Sequence, residues 1–190
     1  MATAELMEEA AAHRLLVGLR RTWPRAYAAT WLSTLICAAC GALAGGSAQT
    51  WLRRLIGARL EPALNAPPAP GDVLALAAHN LPIMAWPILL GVVGAHRSAG
   101  WRLAADVLVG VALIANTAPV GAALALYGSP LLAYLPQLPI EWAALALGTS
   151  AWLIQRRRPL ARSEGIALFA LTGAVVLCAA LVETVGVPHR

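Results

Sequence analysis

Charged residues are scarce in this sequence of 190 residues. Only 12% of them are Asp, Glu, Lys or Arg, whereas 59% are hydrophobic and the mean hydropathy is +0.69. Soluble domains average about a quarter charged residues, so this composition excludes an ordinary soluble domain and indicates a polytopic membrane protein. At this length we expect one bundle, without a separate soluble catalytic domain.

Lysine is absent, and all fourteen basic residues are arginine, which we interpret as coding bias rather than chemistry. The net charge of +5 and the pI of about 9.9 are also typical of nucleic-acid-binding proteins. Here, however, the arginines flank apolar runs and form no basic face with interleaved aromatic residues. Membrane topology and anionic lipid headgroups explain them better, so we expect the lipid bilayer as a partner and no nucleic acid.

Motifs for metal, cofactor or nucleophilic chemistry are also missing. Cys37 and Cys40 have CxxC spacing, but they fall inside an apolar run, and Cys178 is the only other cysteine. We therefore interpret them as packing residues. No HxxxH or HxxE pattern predicts a metal site, and Ser129 lacks a GxSxG surround. No phosphate-binding glycine loop or dinucleotide fingerprint is present, so we expect no catalytic residue, no cofactor and no intrinsic ATP hydrolysis.

Long apolar runs predict an all-α bundle of about five transmembrane helices, each long enough for a hydrocarbon core of about 30 Å. The first 25 residues are acidic and then basic, which does not fit a cleaved signal peptide, so they predict a cytoplasmic amphipathic helix. Pro82 and Pro87 predict a kinked or interrupted second span. The predicted spans are 26–48, 73–93, 103–126, 139–154 and 164–187.

Two segments between the spans have a different character. Residues 49–72 carry three arginines and a helical stripe of apolar side chains from Trp51 to Leu60, which predicts a helix in the membrane interface. Residues 127–138 are apolar but broken by prolines and too short to cross, which predicts a re-entrant or interfacial segment.

The arginines also predict the orientation of the bundle. With five spans and a cytoplasmic N-terminus, ten arginines lie on the cytoplasmic side and four on the other side, and the reverse orientation would invert this ratio. The positive-inside rule therefore favours N-in and C-out. The ten are Arg14, Arg20, Arg21, Arg25, Arg97, Arg102, Arg156, Arg157, Arg158 and Arg162; the four are Arg53, Arg54, Arg59 and Arg190.

This topology places four polar residues toward the extracytoplasmic side: His79, Asn80, Glu141 and Glu183. Burying a carboxylate inside a membrane costs free energy, so a glutamate within a span indicates a structural or functional role. In one interpretation the two glutamates only cap helix ends or lie at headgroup level. In the other, the four residues form a buried polar cluster that joins spans two, four and five, or that receives a partner or a proton.

The same residues resemble a known family. Pro136 and Glu141 match the Pro-His-Gly-x-x-Glu signature of the stage II sporulation protein M family, with Gln137 and Leu138 in place of His and Gly. Glu183 and Pro188 match its C-terminal ending, His79-Asn80 lies where the family has an Asn pair, and 116–121 resembles its Asn-Gly-x-x-x-Gly stretch. The resemblance covers 24–188 and implies an integral membrane protein of the kind that, in spore formers, helps to position cell-wall remodelling enzymes at the septum during engulfment.

Three classes of function remain open at this point. The resemblance favours a non-enzymatic membrane scaffold in the cell envelope, which docks other membrane or extracytoplasmic proteins and can form oligomers. Proline-containing spans with polar groups at depth are also typical of a permease subunit of an ATP-driven transporter, which would need a separate ATPase as partner. A membrane enzyme would use Glu141, Glu183 and His79 as acid and base.

Overall fold

The computed structural model describes residues 2–47, 49–51, 53–54, 70–91, 93–94 and 96–186, and these ranges contain helices and turns but no strand. The helices that position the site are α1 (Ala2–Leu43), α2 (Pro70–Leu89), α3 (Ala99–Tyr127), a 3₁₀ helix (Ser129–Tyr134), α4 (Leu138–Gln155) and α5 (Arg162–Gly186). Four of them, α1, α2, α3 and α5, are long and apolar enough to cross a membrane. The predicted all-α class is confirmed, and the four helices indicate a membrane protein. Most of the predicted interfacial helix, 55–69, lies outside the described residues.

The five long helices alternate in direction. The ends of α2 and α4 meet where the Gln155 amide donates a 2.8 Å hydrogen bond to the Ile88 carbonyl. The start of α3 meets the end of α4 through Asp106 and Trp152, and Leu168 of α5 packs beside Ile154. We call this end, where α1 also begins, the arginine end, because it carries all ten arginines predicted to be cytoplasmic. The other end is called the acidic end.

Helix α4 forms the centre of the bundle. Twelve of its 18 residues are buried, and it contacts α1, α2 and α5. It is not one of the four helices that qualify as spans by composition. Its 18 residues include Glu141 near one end and Gln155 at the other, and these polar residues lower the mean hydropathy of the helix. Small residues such as Ala144, Ala146 and Ala151, all with no exposed surface, let the neighbouring helices pack closely around it.

Close helix approach depends on two glycines. A Cβ atom at Gly148 would overlap the Met84 carbonyl oxygen, so α4 and α2 touch backbone to backbone at this point. A Cβ atom at Gly121 would lie 2.5 Å from the Thr34 carbonyl oxygen of α1. Helix α3 is held beside α1 in this register by the 2.7 Å hydrogen bond between the hydroxyls of Ser33 and Thr117.

Two predicted boundaries look different in the structure. Residues 2–25 and most of the predicted first span lie on one continuous helix, α1, which passes through Pro24. Helix α2 likewise continues through Pro82 and Pro87, so the structure shows no interruption of the second span. Proline removes one backbone hydrogen bond, but a helix packed against neighbours on two sides can remain helical despite that loss.

Candidate functional site

Two acidic side chains meet at the acidic end of the bundle. Glu141 lies in the first turn of α4 and Glu183 near the end of α5, and because these helices are antiparallel the two positions come to the same level. Both side chains are half-buried, and they are close enough to interact as like charges. The structure therefore brings together the two glutamates that the sequence placed on one side.

The other two residues of the predicted cluster lie on α2. His79 is exposed and Asn80 is half-buried. Within the described ranges, no hydrogen bond or ion pair connects either residue to Glu141 or Glu183. The rotation of α2 about its axis turns His79 outward, whereas Met84 and Ala85, on the next turn, are buried. The acidic pair alone is thus the centre of the candidate site.

Two further buried polar groups lie at the start of α4, and sequence reasoning did not assign them to the site. Gln137, only 5% exposed, precedes Glu141 by one turn, and its Oε1 has no hydrogen-bond partner in the part of the chain that the structure describes. The same holds for the buried indole Nε1 of Trp142. Buried polar atoms are nearly always hydrogen-bonded in native proteins. Trp142 packs against Tyr27 and Trp31 of α1 and Leu113 of α3, so its indole belongs to the core at this end of the bundle rather than to the acidic pair.

Two of the positions on which the resemblance rests are prolines. Pro136 is exposed next to Gln137, whereas Pro188 lies outside the residues that the structure describes. The only signal in the sequence for Gln137 is its place in the stretch on which the resemblance rests, at the position of the histidine.

The acidic site has the chemistry of a receptor for hydrogen-bond donors or cations. Carboxylates accept strong, charge-assisted hydrogen bonds from arginine, lysine or backbone N–H groups. Two such groups side by side can therefore accept hydrogen bonds from a cationic or N–H-rich group.

The arginine end contains two ion pairs that the sequence analysis did not predict. Asp106 accepts a 2.9 Å hydrogen bond from the Trp152 indole and forms a 2.9 Å ion pair with Arg156. Glu164, only 2% exposed, is bound by both terminal nitrogens of Arg158 at 2.7 and 2.8 Å, and it accepts the Ala161 N–H at 2.8 Å. The sequence did contain a signal for these ion pairs, because Asp106 and Glu164 lie on the same predicted side of the membrane as the arginine cluster.

Asp106 gives a direct test of the contact between α3 and α4. We expect Asp106→Leu to lower the free energy of unfolding by about 1–3 kcal/mol, because the buried Trp152 indole loses its acceptor. Asp106→Asn keeps an acceptor oxygen at the same place and should retain most of the stability. Thermal unfolding in detergent measures both variants, and equal melting temperatures would contradict the described contact.

The fold and the two polar ends define the class of this protein: an all-helical membrane protein whose central helix links an arginine-rich end to an acidic end. Comparisons with protein-family models, with curated protein sequences and with solved structures find no match.

Proposed function

We propose that this protein is a non-enzymatic scaffold of the bacterial cytoplasmic membrane, which docks a membrane or extracytoplasmic partner at the acidic end. This is the role implied by the resemblance to the stage II sporulation protein M family. In this proposal α4 is a fifth crossing, the arginine end is cytoplasmic, and the 3₁₀ segment lies on the extracytoplasmic side as an interfacial or re-entrant element.

The observation that carries the proposal is the closely packed centre of the bundle. Around α4, Ala144, Ala146 and Ala151 have no exposed surface, and Gly148 touches the backbone of α2. Buried hydroxyls at mid-bundle donate to carbonyls of their own helices, as Thr30 and Thr172 do at 2.9 and 2.8 Å. Within the described residues, the buried side-chain polar atoms that have no hydrogen-bond partner lie near the two ends of the bundle, with Ser150 as the exception. This arrangement favours a rigid docking surface over a transport path.

The helix directions support the proposed orientation. Because the five long helices alternate in direction, α1 begins at one end of the bundle and α5 ends at the other. A five-span bundle with N-in and C-out requires this arrangement. The positive-inside rule then makes the arginine end cytoplasmic. The acidic pair consequently faces the extracytoplasmic side, where wall-associated partners would approach.

Affinity purification from native membranes tests the docking site. The tagged protein is compared with the double variant Glu141→Gln/Glu183→Gln, and co-purifying proteins are quantified by mass spectrometry. We expect a membrane or extracytoplasmic partner that is at least about tenfold depleted in the double variant, since charge-assisted hydrogen bonds to the carboxylates are lost. The amides keep the shape of both side chains and remove their repulsion, so the variant should remain folded.

The matched control is Glu9→Gln, which changes an exposed acidic residue of α1 near the arginine end. It should leave recovery of the partner unchanged. Equal recovery with all three proteins would contradict docking at the acidic end. If the main partner is an ATPase and its recovery is insensitive to the double variant, the permease-subunit alternative replaces the scaffold.

A further inference from the structure

Two adjoining cavities at the arginine end lie between α1 and the end of α4. The first has a volume of about 410 Å³, and its lining includes Arg14, Arg21 and Arg157. The second has a volume of about 350 Å³ and includes Arg25 and again Arg157. Thr22 and Arg157 line both cavities, so the two lie side by side, and we call them together the basic groove.

The positive charge of this groove is only partly neutralised by the protein. Arg156 and Arg158, which also line it, are paired with Asp106 and Glu164. Within the described part of the chain, Arg21, Arg25 and Arg157 have no ion pair or side-chain hydrogen bond. Their guanidinium groups therefore remain free to bind an anion.

We propose that the basic groove binds the phosphate headgroup of an anionic phospholipid. Guanidinium groups match phosphate oxygens with paired N–H donors, which makes arginine a preferred residue for phosphate recognition. The proposal is independent of the docking role of the acidic end, because it concerns the opposite end of the bundle and a different ligand.

The surroundings of the groove favour a lipid over a soluble phosphate. On α1, Leu16 and Val17 lie within one turn of Arg14 and expose 58% and 38% of their surface, and Val17 also lines the groove. Ile154 of α4 contributes a further apolar wall. A ligand with a phosphate for the arginines and an acyl chain for this apolar strip fits both features.

Native mass spectrometry of the detergent-solubilised protein tests the proposal. Phosphatidylglycerol is titrated against the unaltered chain and against Arg21→Gln/Arg157→Gln, with phosphatidylcholine of the same acyl chains as the zwitterionic comparison, in which a quaternary ammonium balances the phosphate. We expect phosphatidylglycerol to bind the unaltered chain at least about tenfold more tightly than phosphatidylcholine. The double variant should lose most of that preference, since each lost charge-assisted contact is worth roughly a factor of ten.

The matched control is Arg20→Gln/Arg97→Gln, which removes the same charge from exposed positions at the same end, outside both cavities. Retention of the lipid preference in this control, with loss in the groove variant, supports a defined site. Equal loss in both variants would overturn it in favour of general electrostatic attraction. Displacement of the lipid by millimolar glycerol phosphate would overturn the lipid as the source of the phosphate.

Discussion

Arg158→Ala should lower the free energy of unfolding by about 3 kcal/mol, because it leaves the buried Glu164 carboxylate without its partner. Arg158 binds both oxygens of Glu164, whose side chain is 1% exposed, whereas that of Arg158 is 32% exposed. Removing one member of a buried pair exposes the full cost of burying the remaining charge. Chemical or thermal unfolding in detergent, without added lipid, measures the loss.

The neighbouring residue provides the control for this prediction. Arg157 is exposed and has no ion pair in the described ranges, so Arg157→Ala should change the free energy of unfolding by less than about 0.5 kcal/mol. Replacing both members, as Arg158→Leu/Glu164→Leu, should recover part of the loss, since no buried charge remains. Recovery should be incomplete because Glu164 also accepts the Ala161 N–H at the start of α5.

If Arg158→Ala and Arg157→Ala are equally stable, the ion pair between Arg158 and Glu164 does not contribute to stability as described.

Gly148→Ala should destabilise the bundle by about 3 kcal/mol, although it adds only one methyl group. The added Cβ would overlap the Met84 carbonyl oxygen, which belongs to the backbone of α2 and cannot rotate away. Helices α2 and α4 must then separate, and overpacking of this kind typically costs about 1–3 kcal/mol and occasionally more. Thermal unfolding of the detergent-solubilised protein measures the effect.

Gly110→Ala is the matched control for the glycine prediction. Gly110 lies inside α3, and a Cβ atom there would meet nothing within 4 Å. Because alanine is a better helix former than glycine by about 1 kcal/mol, this variant should be as stable as the unaltered chain or more stable. If both variants have the same melting temperature, the close contact between α2 and α4 does not exist.

These predictions depend on partners that the sequence does not show. Asp106 was visible as an acidic residue near one end of an apolar run, but its contacts with Trp152 and Arg156 come from a helix about fifty residues later. The same holds for Gly148 and Met84. Side-chain type and spacing predict which residues need a partner, whereas the identity of the partner depends on how the helices pack.

The candidate site shows the same division. Antiparallel spans of known length place Glu141 and Glu183 at one level, so their proximity follows from the sequence pattern and simple geometry. The outward orientation of His79 does not follow from the sequence pattern, because it depends on the rotation of α2 about its axis. The burial of Gln137 is also a result of packing, in this case at the junction before α4.

By itself, the sequence determined the all-helical class, the approximate positions of the long helices and the concentration of arginine at one end. Hydropathy and charge act locally along the chain, so they can be interpreted without knowing the neighbours. Only the tertiary structure decided that α4 is the centre of the bundle, that Arg158 and Arg157 have different roles, and that α2 approaches Gly148 backbone to backbone. Those outcomes depend on which helix faces meet, and contacts between distant segments are formed by packing rather than by local preference.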